Sequence, residues 1–294
     1  MKKKDFSEES NYYNIEQINE YTYRFSCGMG VYFDLFTGSE RALLFDTGYG
    51  FGNLKKTVEK ITDKPLAIIN SHGHLDHTGG NFLFTDCDIY MHESEKKIYM
   101  MHNTPEMRAR NLKYAKKTKI KKNSSVEILP DNFDSDAYLD ISLSGCKKVD
   151  EGYVFNLGGI ELETYNFKGH TNGGIALLDK SSKSLYTGDA ISPFVWLFLD
   201  ESTPLSAYID SLKRAMDINF KDLYMGHGST PAEKKALQYY LDTAENLDYK
   251  KGHAFKAPRG IHKEVRLCVR QGYTKHDIKK EGFAAIAISE DKLK

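Results

Sequence analysis

The residues best suited to chemistry in this chain lie in residues 71–80, which read SHGHLDHTGG. Three histidines and one aspartate, His72, His74, Asp76 and His77, fall within six consecutive positions. Neutral imidazole and carboxylate groups are preferred ligands of zinc-like divalent ions. Side chains two residues apart in an extended segment share a face, so His72 and His74 can bind one ion. After the chain turns, Asp76 and His77 point elsewhere and can begin a second site.

Three further candidate ligands occur later in the chain, each directly after a glycine and close behind a strand-like run. They are His170 after Gly169, Asp189 after Gly188, and His227 after Gly226. A glycine lets the backbone turn sharply and approach an ion closely, and loops on a rigid scaffold are where catalytic residues concentrate. One such residue would carry little information, whereas three of the same form downstream of a histidine cluster indicate a shared metal centre.

Short apolar or alternating runs predict the strands that must position these residues. The predicted strands include residues 21–25, 31–36, 41–45, 65–70, 88–91, 160–167, 185–187 and 222–225. Apolar residues at helical spacing predict a helix over residues 52–62, and another helix is predicted after Pro204. Residues 230–233 read as a capping box that begins a further helix, with Pro231 at its first position. Residues up to about Glu20 are expected to form a polar leader.

The order, spacing and flanking glycines of the candidate ligands resemble the metallo-β-lactamase superfamily. The matching stretches are residues 44–48 (LFDTG), 72–77 (HGHLDH), 169–171 (GHT), 187–189 (TGD) and 226–228 (GHG). They lie within about residues 20–230. The resemblance implies an α/β (α+β) fold, the four-layer αββα sandwich of this superfamily, with metals at one edge.

The resemblance also implies how seven residues share two metal ions. The assignments are His72, His74 and His170 for one ion, Asp76, His77 and His227 for the other, and Asp189 as the bridge. Five imidazoles and two carboxylates suit two Zn²⁺ ions per chain, with iron or manganese left open.

Such a centre predicts hydrolysis with water as the nucleophile. Two ions about 3.5–4 Å apart share a water and lower its pKa from 15.7 toward roughly 7. The resulting metal-bridging hydroxide attacks without any serine or cysteine nucleophile. Asp76 is the predicted catalytic residue, because it binds one ion and orients the attacking water. The expected protein is a binuclear zinc-dependent hydrolase that cleaves an ester, thioester or lactone bond of a small molecule.

The ligand set leaves other functions open. A phosphodiesterase would use the same seven residues. A persulfide dioxygenase-like oxidoreductase would hold a single iron with His74 or His72, together with His170 and Asp189. A non-catalytic binding protein is disfavoured because the ligand series is complete. Hydrolysis of β-lactam antibiotics is not expected, because Asp189 stands where many true metallo-β-lactamases carry a zinc-binding cysteine.

We expect one domain over residues 1–294, with a helical, charged insertion at about residues 93–150. Residues 113–122 are strongly basic and residues 131–140 are acidic. A loop this long inside a compact domain is usually functional or disordered, and the helical tendency of residues 107–117 argues against disorder. The insertion is therefore predicted to cap the active site, where its lysines would attract an anionic substrate. The alternative is a pair of solvated charged faces.

Three residues outside the ligand set are candidates for substrate contact. His92 follows a predicted strand and is predicted to face the pocket, although a lone histidine is more often structural. Phe194 and Trp196 follow the Asp189 loop directly, which makes them candidate pocket walls or core residues.

Composition limits the partners and the compartment. Lys+Arg and Asp+Glu both number 41, so the formal charge is zero and no nucleic-acid partner is expected. The four cysteines match no metal-binding spacing and are expected to be reduced thiols. The N-terminus lacks an apolar signal core, and no apolar run reaches the ~20 residues of a membrane span. A cytoplasmic protein is expected, and a homodimer is left open.

Overall fold

The computed structural model describes residues 12–118, 128–131, 133–258 and 261–294, and it combines helices with β-sheets, as the α/β prediction requires. The chain forms two compact units. The first unit contains Met1–Val149, Phe155–Glu161 and Gly226–Ser229, and the second contains Asp150–Val154, Leu162–Met225 and Thr230–Lys294. No helix in the described ranges combines the length and the apolar character needed to cross a bilayer. The expectation of one domain over the whole chain stays a prediction.

The first unit is built on a seven-stranded sheet whose strand order follows chain order. Its strands are β1 (Tyr13–Gln17), β2 (Thr22–Cys27), β3 (Tyr32–Thr37), β4 (Ala42–Phe45), β5 (Leu66–Ile69), β6 (Asp88–Met91) and β7 (Lys147–Lys148). Neighbours from β1 to β4 are antiparallel, and neighbours from β4 to β7 are parallel. The strands predicted for this part of the chain are confirmed.

The parallel strands β4, β5 and β6 bring their carboxyl ends to one edge of the sheet. Phe45 lies opposite Ile69, and Ile69 lies opposite Tyr90. The chain leaves β4 through Asp46, and it leaves β5 through residues 70–80, which we call the ligand loop. Because carboxyl ends of parallel strands share an edge, Asp46 and the ligand loop begin side by side.

In the described part of the first unit there are five α-helices. They are α1 (Leu54–Glu59), α2 (Leu75–Thr78), α3 (Lys96–His102), α4 (Pro105–Ala115) and α5 (Ser135–Leu139). The helix predicted over residues 52–62 is α1, and the helical tendency of residues 107–117 is confirmed by α4. Thr104 caps α4, since its Oγ1 accepts a hydrogen bond from Met107 N and Pro105 takes the first position. Residues 119–127 and 132 of the charged runs lie outside the described residues.

Two sheets lie in the second unit, and a short strand, β8 (Val154–Asn156), crosses the division between the units. One sheet has the order β14-β13-β11-β10-β9 and the other the order β12-β17-β16-β15. The strands are β9 (Glu161–Asn166), β10 (Ile175–Asp179), β11 (Ser184–Tyr186), β12 (Phe194–Leu197), β13 (Asp222–Tyr224), β14 (Ala232–Glu233), β15 (His253–Ala254), β16 (Val265–Val269) and β17 (Ala285–Ser289). Helices α6 (Leu205–Asp217) and α7 (Ala236–Glu245) complete the unit.

The predicted capping box at residues 230–233 is wrong. Ala232 and Glu233 form β14 and pair with Leu223 and Asp222 of β13. The helix begins only at Ala236, and no side chain caps its first turn. The backbone groups that a capping box would satisfy locally are instead satisfied by the edge of a sheet.

The expected polar leader is also wrong for residues 13–17, which form β1. This strand pairs along its whole length with β2, from Tyr13 opposite Cys27 to Gln17 opposite Tyr23. Tyr13 contacts the rings of Phe25 and Phe33, with ring centroids 6.2 and 5.8 Å away. The strand is therefore held by tertiary packing that its polar sequence does not reveal.

A buried ion pair joins β2 and β3. Arg24 and Asp34 lie opposite each other in register, and Arg24 Nη1 lies 2.7 and 3.1 Å from the two carboxylate oxygens. Both residues are at most 4% exposed. Burial raises the pKa of Asp34 to about 6, even though the Arg24 guanidinium lowers it. For the Asp34 carboxylate, the cost of desolvation thus exceeds the attraction that it gains from Arg24.

This balance predicts different outcomes for single and paired substitutions. Asp34→Ala leaves a buried, uncompensated guanidinium and should lower the free energy of unfolding by about 3–5 kcal/mol. The Arg24→Met/Asp34→Leu double variant keeps apolar volume at both positions and should unfold close to the wild-type free energy, or up to ~4 kcal/mol above it. Urea-induced unfolding of both variants measures the difference. Equal destabilisation of the two variants would contradict the proposed balance.

Candidate metal centre

Three side chains of the first unit, Asp76, His77 and His227, place ligand atoms within 4.8 Å of one another. Asp76 Oδ2 lies 3.3 Å from His227 Nε2 and 3.8 Å from His77 Nε2. The His77 side chain is fully buried, whereas 42% of the His227 side chain is exposed. The group therefore has one buried side and one side that is open to solvent.

Asp46 fixes the ring of His77. The His77 Nδ1–H donates to Asp46 Oδ2 at 2.8 Å, which leaves Nε2 as the lone-pair nitrogen on the side of Asp76. The Asp46 carboxylate also accepts hydrogen bonds from Ser71 N and Ser71 Oγ, both at 2.7 Å. Asp46 has a positive φ of 69°, a conformation that non-glycine residues adopt rarely and mostly where surrounding contacts enforce it. Its three hydrogen bonds supply that enforcement.

The backbone of His77 is fixed as well as its ring. The His77 carbonyl accepts hydrogen bonds from Thr47 N at 2.8 Å and from Asn70 Nδ2 at 3.2 Å. Asn81 Oδ1 accepts from Thr47 Oγ1 at 2.8 Å, and Asn81 Nδ2 donates to Asn70 Oδ1 at 2.8 Å. All four residues are buried. A closed polar network in this environment resists any rotation of the histidine out of the group.

His227 is oriented by the hairpin between β2 and β3. A backbone carbonyl can only accept, so the contact of 3.2 Å between His227 Nδ1 and Gly30 O requires a proton on Nδ1. Nε2 then carries the lone pair and faces Asp76. The backbone around His227 is also held, because Tyr32 N donates to Gly226 O at 2.8 Å and Arg24 Nη2 donates to Gly228 O at 3.2 Å.

His72 and His74 lie together in the same unit. His72 Nε2 lies 3.0 Å from His74 Nδ1, so the two rings bring one nitrogen each to the same place. Ser71 Oγ donates to Asp46 and therefore accepts from His72 Nδ1–H at 2.9 Å, which again leaves Nε2 as the ligand atom. The ring of His102 stacks on His74 with centroids 4.5 Å apart. Both predicted ligands are thus buried and oriented toward one point.

The insertion packs directly on the ligand loop at Gly73. The Gly73 N–H donates to the buried carboxylate of Glu95 at 3.0 Å. A Cβ at position 73 would lie 2.6 Å from Tyr99 N and 2.7 Å from Glu95 O, so only glycine fits between the two ligand histidines. The backbone of α3 therefore sets the path of the ligand loop.

Two further side chains of the insertion hold the end of α2. Asn103 Nδ2 donates to Thr78 Oγ1 at 2.8 Å. Arg108 Nη2 donates to Gly79 O and to Asn103 Oδ1, both at 2.9 Å. Arg108 is 1% exposed, and its guanidinium lies 4.7 Å from the ring centroid of Tyr138 in α5. These contacts tie the helix that carries Asp76 and His77 to the insertion.

The second unit contains His170 and Asp189, with His170 Nε2 3.8 Å from Asp189 Oδ2. His170 Nδ1–H donates to Trp196 O at 3.1 Å, so Nε2 is once more the lone-pair nitrogen. Ser202 Oγ donates to His170 O at 2.8 Å. Gly169, directly before His170, has a φ of 155°, and a Cβ there would lie 2.6 Å from a ring atom of Tyr208. This glycine is required by its backbone conformation and by space.

The three predicted substrate contacts have other contacts in the structure. His92 Nδ1 accepts from Ser94 N at 3.1 Å and caps a short 3-10 helix. The rings of Phe194 and Trp196 are half-buried and pack against Phe255, with centroids 5.8 and 6.1 Å away. Trp196 reaches the candidate centre through its carbonyl, the acceptor for His170. A role in substrate contact stays a prediction for all three.

The donor atoms fit divalent ions such as zinc. In His72, His77, His170 and His227, one ring nitrogen contacts a protein oxygen, as is usual for metal-binding histidines. Carboxylate oxygens of Asp76 and Asp189 lie 3.3 and 3.8 Å from the Nε2 atoms of His227 and His170, respectively. Imidazole and carboxylate together match the borderline-soft character of zinc.

Sequence reasoning did not identify the supporting residues. Asp46 was recognised only as part of a turn marker, and its proximity to His77 follows from the parallel pairing of β4 with β5. Glu95, Asn103 and Arg108 lie in the part of the chain least similar to the superfamily, where no local pattern distinguishes them from surface residues.

Comparisons with known proteins agree with the resemblance. A family model described as "Metallo-beta-lactamase superfamily" matches residues 35–227. The human acyl-coenzyme A thioesterase MBLAC2 is 24% identical over 199 residues, and the chicken protein of that name is 24% identical over 196 residues. Each match covers 63% of this chain and 66% of the relative, slightly less than two thirds of its length.

Solved structures share the fold at low sequence identity. A metallo-beta-lactamase from Pontibacter korlensis is 16% identical, with a TM-score of 0.53 over 80% of this chain and 99% of that chain. The sec-alkylsulfatase Pisa1 from Pseudomonas sp. is 14% identical, with a TM-score of 0.63 over 81% of this chain and 42% of that chain. The likeness shows the metallo-β-lactamase fold. Since the family model also spans more than half of the sequence, the chain belongs to the metallo-β-lactamase superfamily.

Proposed function

We propose that this chain is a binuclear zinc-dependent hydrolase that cleaves an ester, thioester or lactone bond of a small molecule, with an acyl-coenzyme A thioester as the favoured substrate class. The observation that carries the proposal is the grouping of Asp76, His77 and His227 within 4.8 Å in a member of this superfamily. The relatives that are named acyl-coenzyme A thioesterases support the choice of a thioester.

The proposed ligands follow the pattern of the superfamily. They are His72, His74 and His170 for one ion, Asp76, His77 and His227 for the second, and Asp189 as the bridge. Support comes from the orientation of the rings within each unit, since His72 Nε2 and His74 Nδ1 lie 3.0 Å apart and His170 Nε2 lies 3.8 Å from Asp189. The supporting contacts to Asp46, Gly30 O and Trp196 O fix which nitrogen each ring presents.

When bound, two divalent ions acidify a water molecule and polarise the carbonyl of the substrate. The protein's own contribution would be to hold the Asp76 carboxylate where it would bind an ion and orient the attacking water. His77 and Asp46 stay fixed during this step because both are buried and hydrogen-bonded. His77 and Asp46 can therefore position the centre without moving.

The cysteines do not compete as nucleophiles. Burial raises the pKa of the Cys87, Cys146 and Cys268 thiols to about 11, so these groups are protonated at neutral pH. Burial also raises the pKa of the Cys27 thiol. This favours water as the nucleophile, as a metal-dependent hydrolase requires.

Metal content provides the first test. Protein purified without chelators should contain about two zinc ions per chain, and the His227→Ala and His170→Ala variants should each contain about one. Elemental analysis of the three proteins measures this. A single iron per chain, together with oxygen consumption on a persulfide, would replace the hydrolase with the dioxygenase alternative.

The role of Asp76 can be tested by removing its charge. Asp76→Asn keeps the size of the side chain but weakens the bond to the ion and the hold on water. We expect kcat for a thioester to fall at least ~100-fold, the scale of losing one charge-stabilising group. A panel of p-nitrophenyl esters, thioesters, lactones and phosphodiesters should show which bond is cleaved. Turnover of the phosphodiester alone would favour a phosphodiesterase, and near-normal kcat in the variant would contradict the role of Asp76.

Asp46 orients His77 without being a proposed metal ligand itself, so its effect on metal binding can be tested separately. Asp46→Ala removes the acceptor of His77 Nδ1–H and should weaken zinc binding about 10–100-fold, the usual cost of losing such a partner. Competition with a chromophoric chelator measures the affinity. Asp86→Ala is the matched control, because Asp86 is an exposed aspartate whose carboxylate pairs with Lys55 at 2.7 Å. Equal zinc affinities in the two variants would show that Asp46 has no such role.

A further inference from the structure

Exposed apolar and basic side chains occur on α3, on α4 and in the turn that follows α4. Met100, Met101 and Tyr114 are exposed by 62%, 53% and 62%, which is unusual for large apolar side chains. Lys113 and Lys117 are exposed beside Tyr114. We call these five residues the α3–α4 surface. Exposed apolar groups that are concentrated on one part of a surface commonly mark a binding site, and methionine adapts readily to different ligands.

Lys113 lies on α4, and Lys117 lies in the turn that follows the end of the helix at Ala115. Tyr114 directly follows Lys113 in the chain and precedes Lys117 by three residues. Glu106 lies about two helical turns before Lys113, so the positive charge belongs to the C-terminal end of α4 and the turn that follows it. Among the described residues, neither Lys113 nor Lys117 forms an ion pair. Their ammonium groups are therefore available to an anionic ligand.

The surface is fixed relative to the candidate metal centre. His102, the last residue of α3, stacks on the ligand His74 at 4.5 Å and directly follows Met101 in the chain. The opposite side of α4 is anchored through Arg108, which binds Gly79 O in the ligand loop. With 11 residues and ~1.5 Å per residue, α4 extends roughly 16 Å from its first residue, near His102, to its C-terminal end.

We propose that the α3–α4 surface binds the nucleotide end of an acyl-coenzyme A; this inference rests on the proposed function. The substrate has its reacting thioester at one end and its phosphates and adenine at the other, joined by an extended arm. The lysines bind the phosphates as point charges, Tyr114 stacks on the adenine, and Met100 and Met101 contact the arm. Binding of a remote part of the substrate in this way holds the thioester at the reacting centre.

The test compares two thioesters that have the same reacting bond. One is a medium-chain acyl-coenzyme A, and the other is the same acyl group on N-acetylcysteamine, which lacks the phosphates and the adenine. Lys113→Gln/Lys117→Gln should raise KM for the acyl-coenzyme A at least tenfold, and should leave KM for the short thioester within twofold. Tyr114→Ala should raise KM for the acyl-coenzyme A several-fold. In the wild-type protein, the KM for acyl-coenzyme A should rise with salt as screening increases.

A matched control removes two lysines elsewhere in the first unit. Lys55→Gln/Lys147→Gln deletes the same charge, but both lysines pair with exposed aspartates at 2.7 Å. This control should leave both KM values unchanged. Lys116 is retained in the test variant, because its Nζ donates to Ser135 Oγ in α5. Zinc content and thermal unfolding should not differ among the variants, which separates binding from any effect of Lys113 on the helix end.

The outcomes separate this inference from the proposed function. If the wild-type protein hydrolyses neither thioester, the proposed thioesterase activity fails and the inference fails with it. If it hydrolyses both and KM for the acyl-coenzyme A is the same in Lys113→Gln/Lys117→Gln as in wild type, the proposed function stands. The α3–α4 surface is then an ordinary solvated face, and the inference is overturned.

Discussion

The hydrogen bond between His77 and the Asp46 carboxylate is the contact on which the candidate centre of the first unit depends. It determines that Nδ1 of His77 carries the ring proton. The same carboxylate accepts hydrogen bonds from the backbone N–H and the hydroxyl of Ser71. Asp46 can make all three contacts only because β4 and β5 are parallel and end at one edge. The positive φ of Asp46 is a local cost that is offset by these contacts. Sheet topology and metal chemistry are thus linked through one residue.

Two other candidate ligands, His227 and His170, are also oriented by a hydrogen bond from Nδ1, but to a different kind of acceptor. His227 and His170 each donate from Nδ1 to a backbone carbonyl, of Gly30 and Trp196 respectively. Carbonyl acceptors carry no side-chain signature, so a sequence can indicate which histidines are candidate ligands but not what orients them. Asp46 is visible in the sequence only as part of a turn motif, because its function depends on pairing with a strand more than twenty residues later.

The sequence predicted the strands around the site because their signals are local. A strand-like run followed closely by a glycine and a candidate ligand marks β9, β11 and β13 without knowledge of their neighbours. β1 was missed because Tyr13 becomes partly buried only through packing against the rings of Phe25 and Phe33. The capping box failed for a related reason: the backbone of residues 232–233 is satisfied by β13 across the sheet, and this non-local pairing is stronger than the local preference.

The insertion at residues 93–150 was the part that the sequence described least well, and its two sides differ in their roles. On its inner side, the buried side chains of Glu95, Asn103 and Arg108 form hydrogen bonds with the ligand loop. Substitutions there would disturb the backbone that carries the metal ligands. Among the described residues, none of the five that form the α3–α4 surface hydrogen-bonds to the ligand loop through its side chain, so their charge and shape can change without disturbing that loop. Under the proposed function, buried residues of these helices support the candidate metal centre and exposed residues bind the substrate, and the two roles are expected to vary independently.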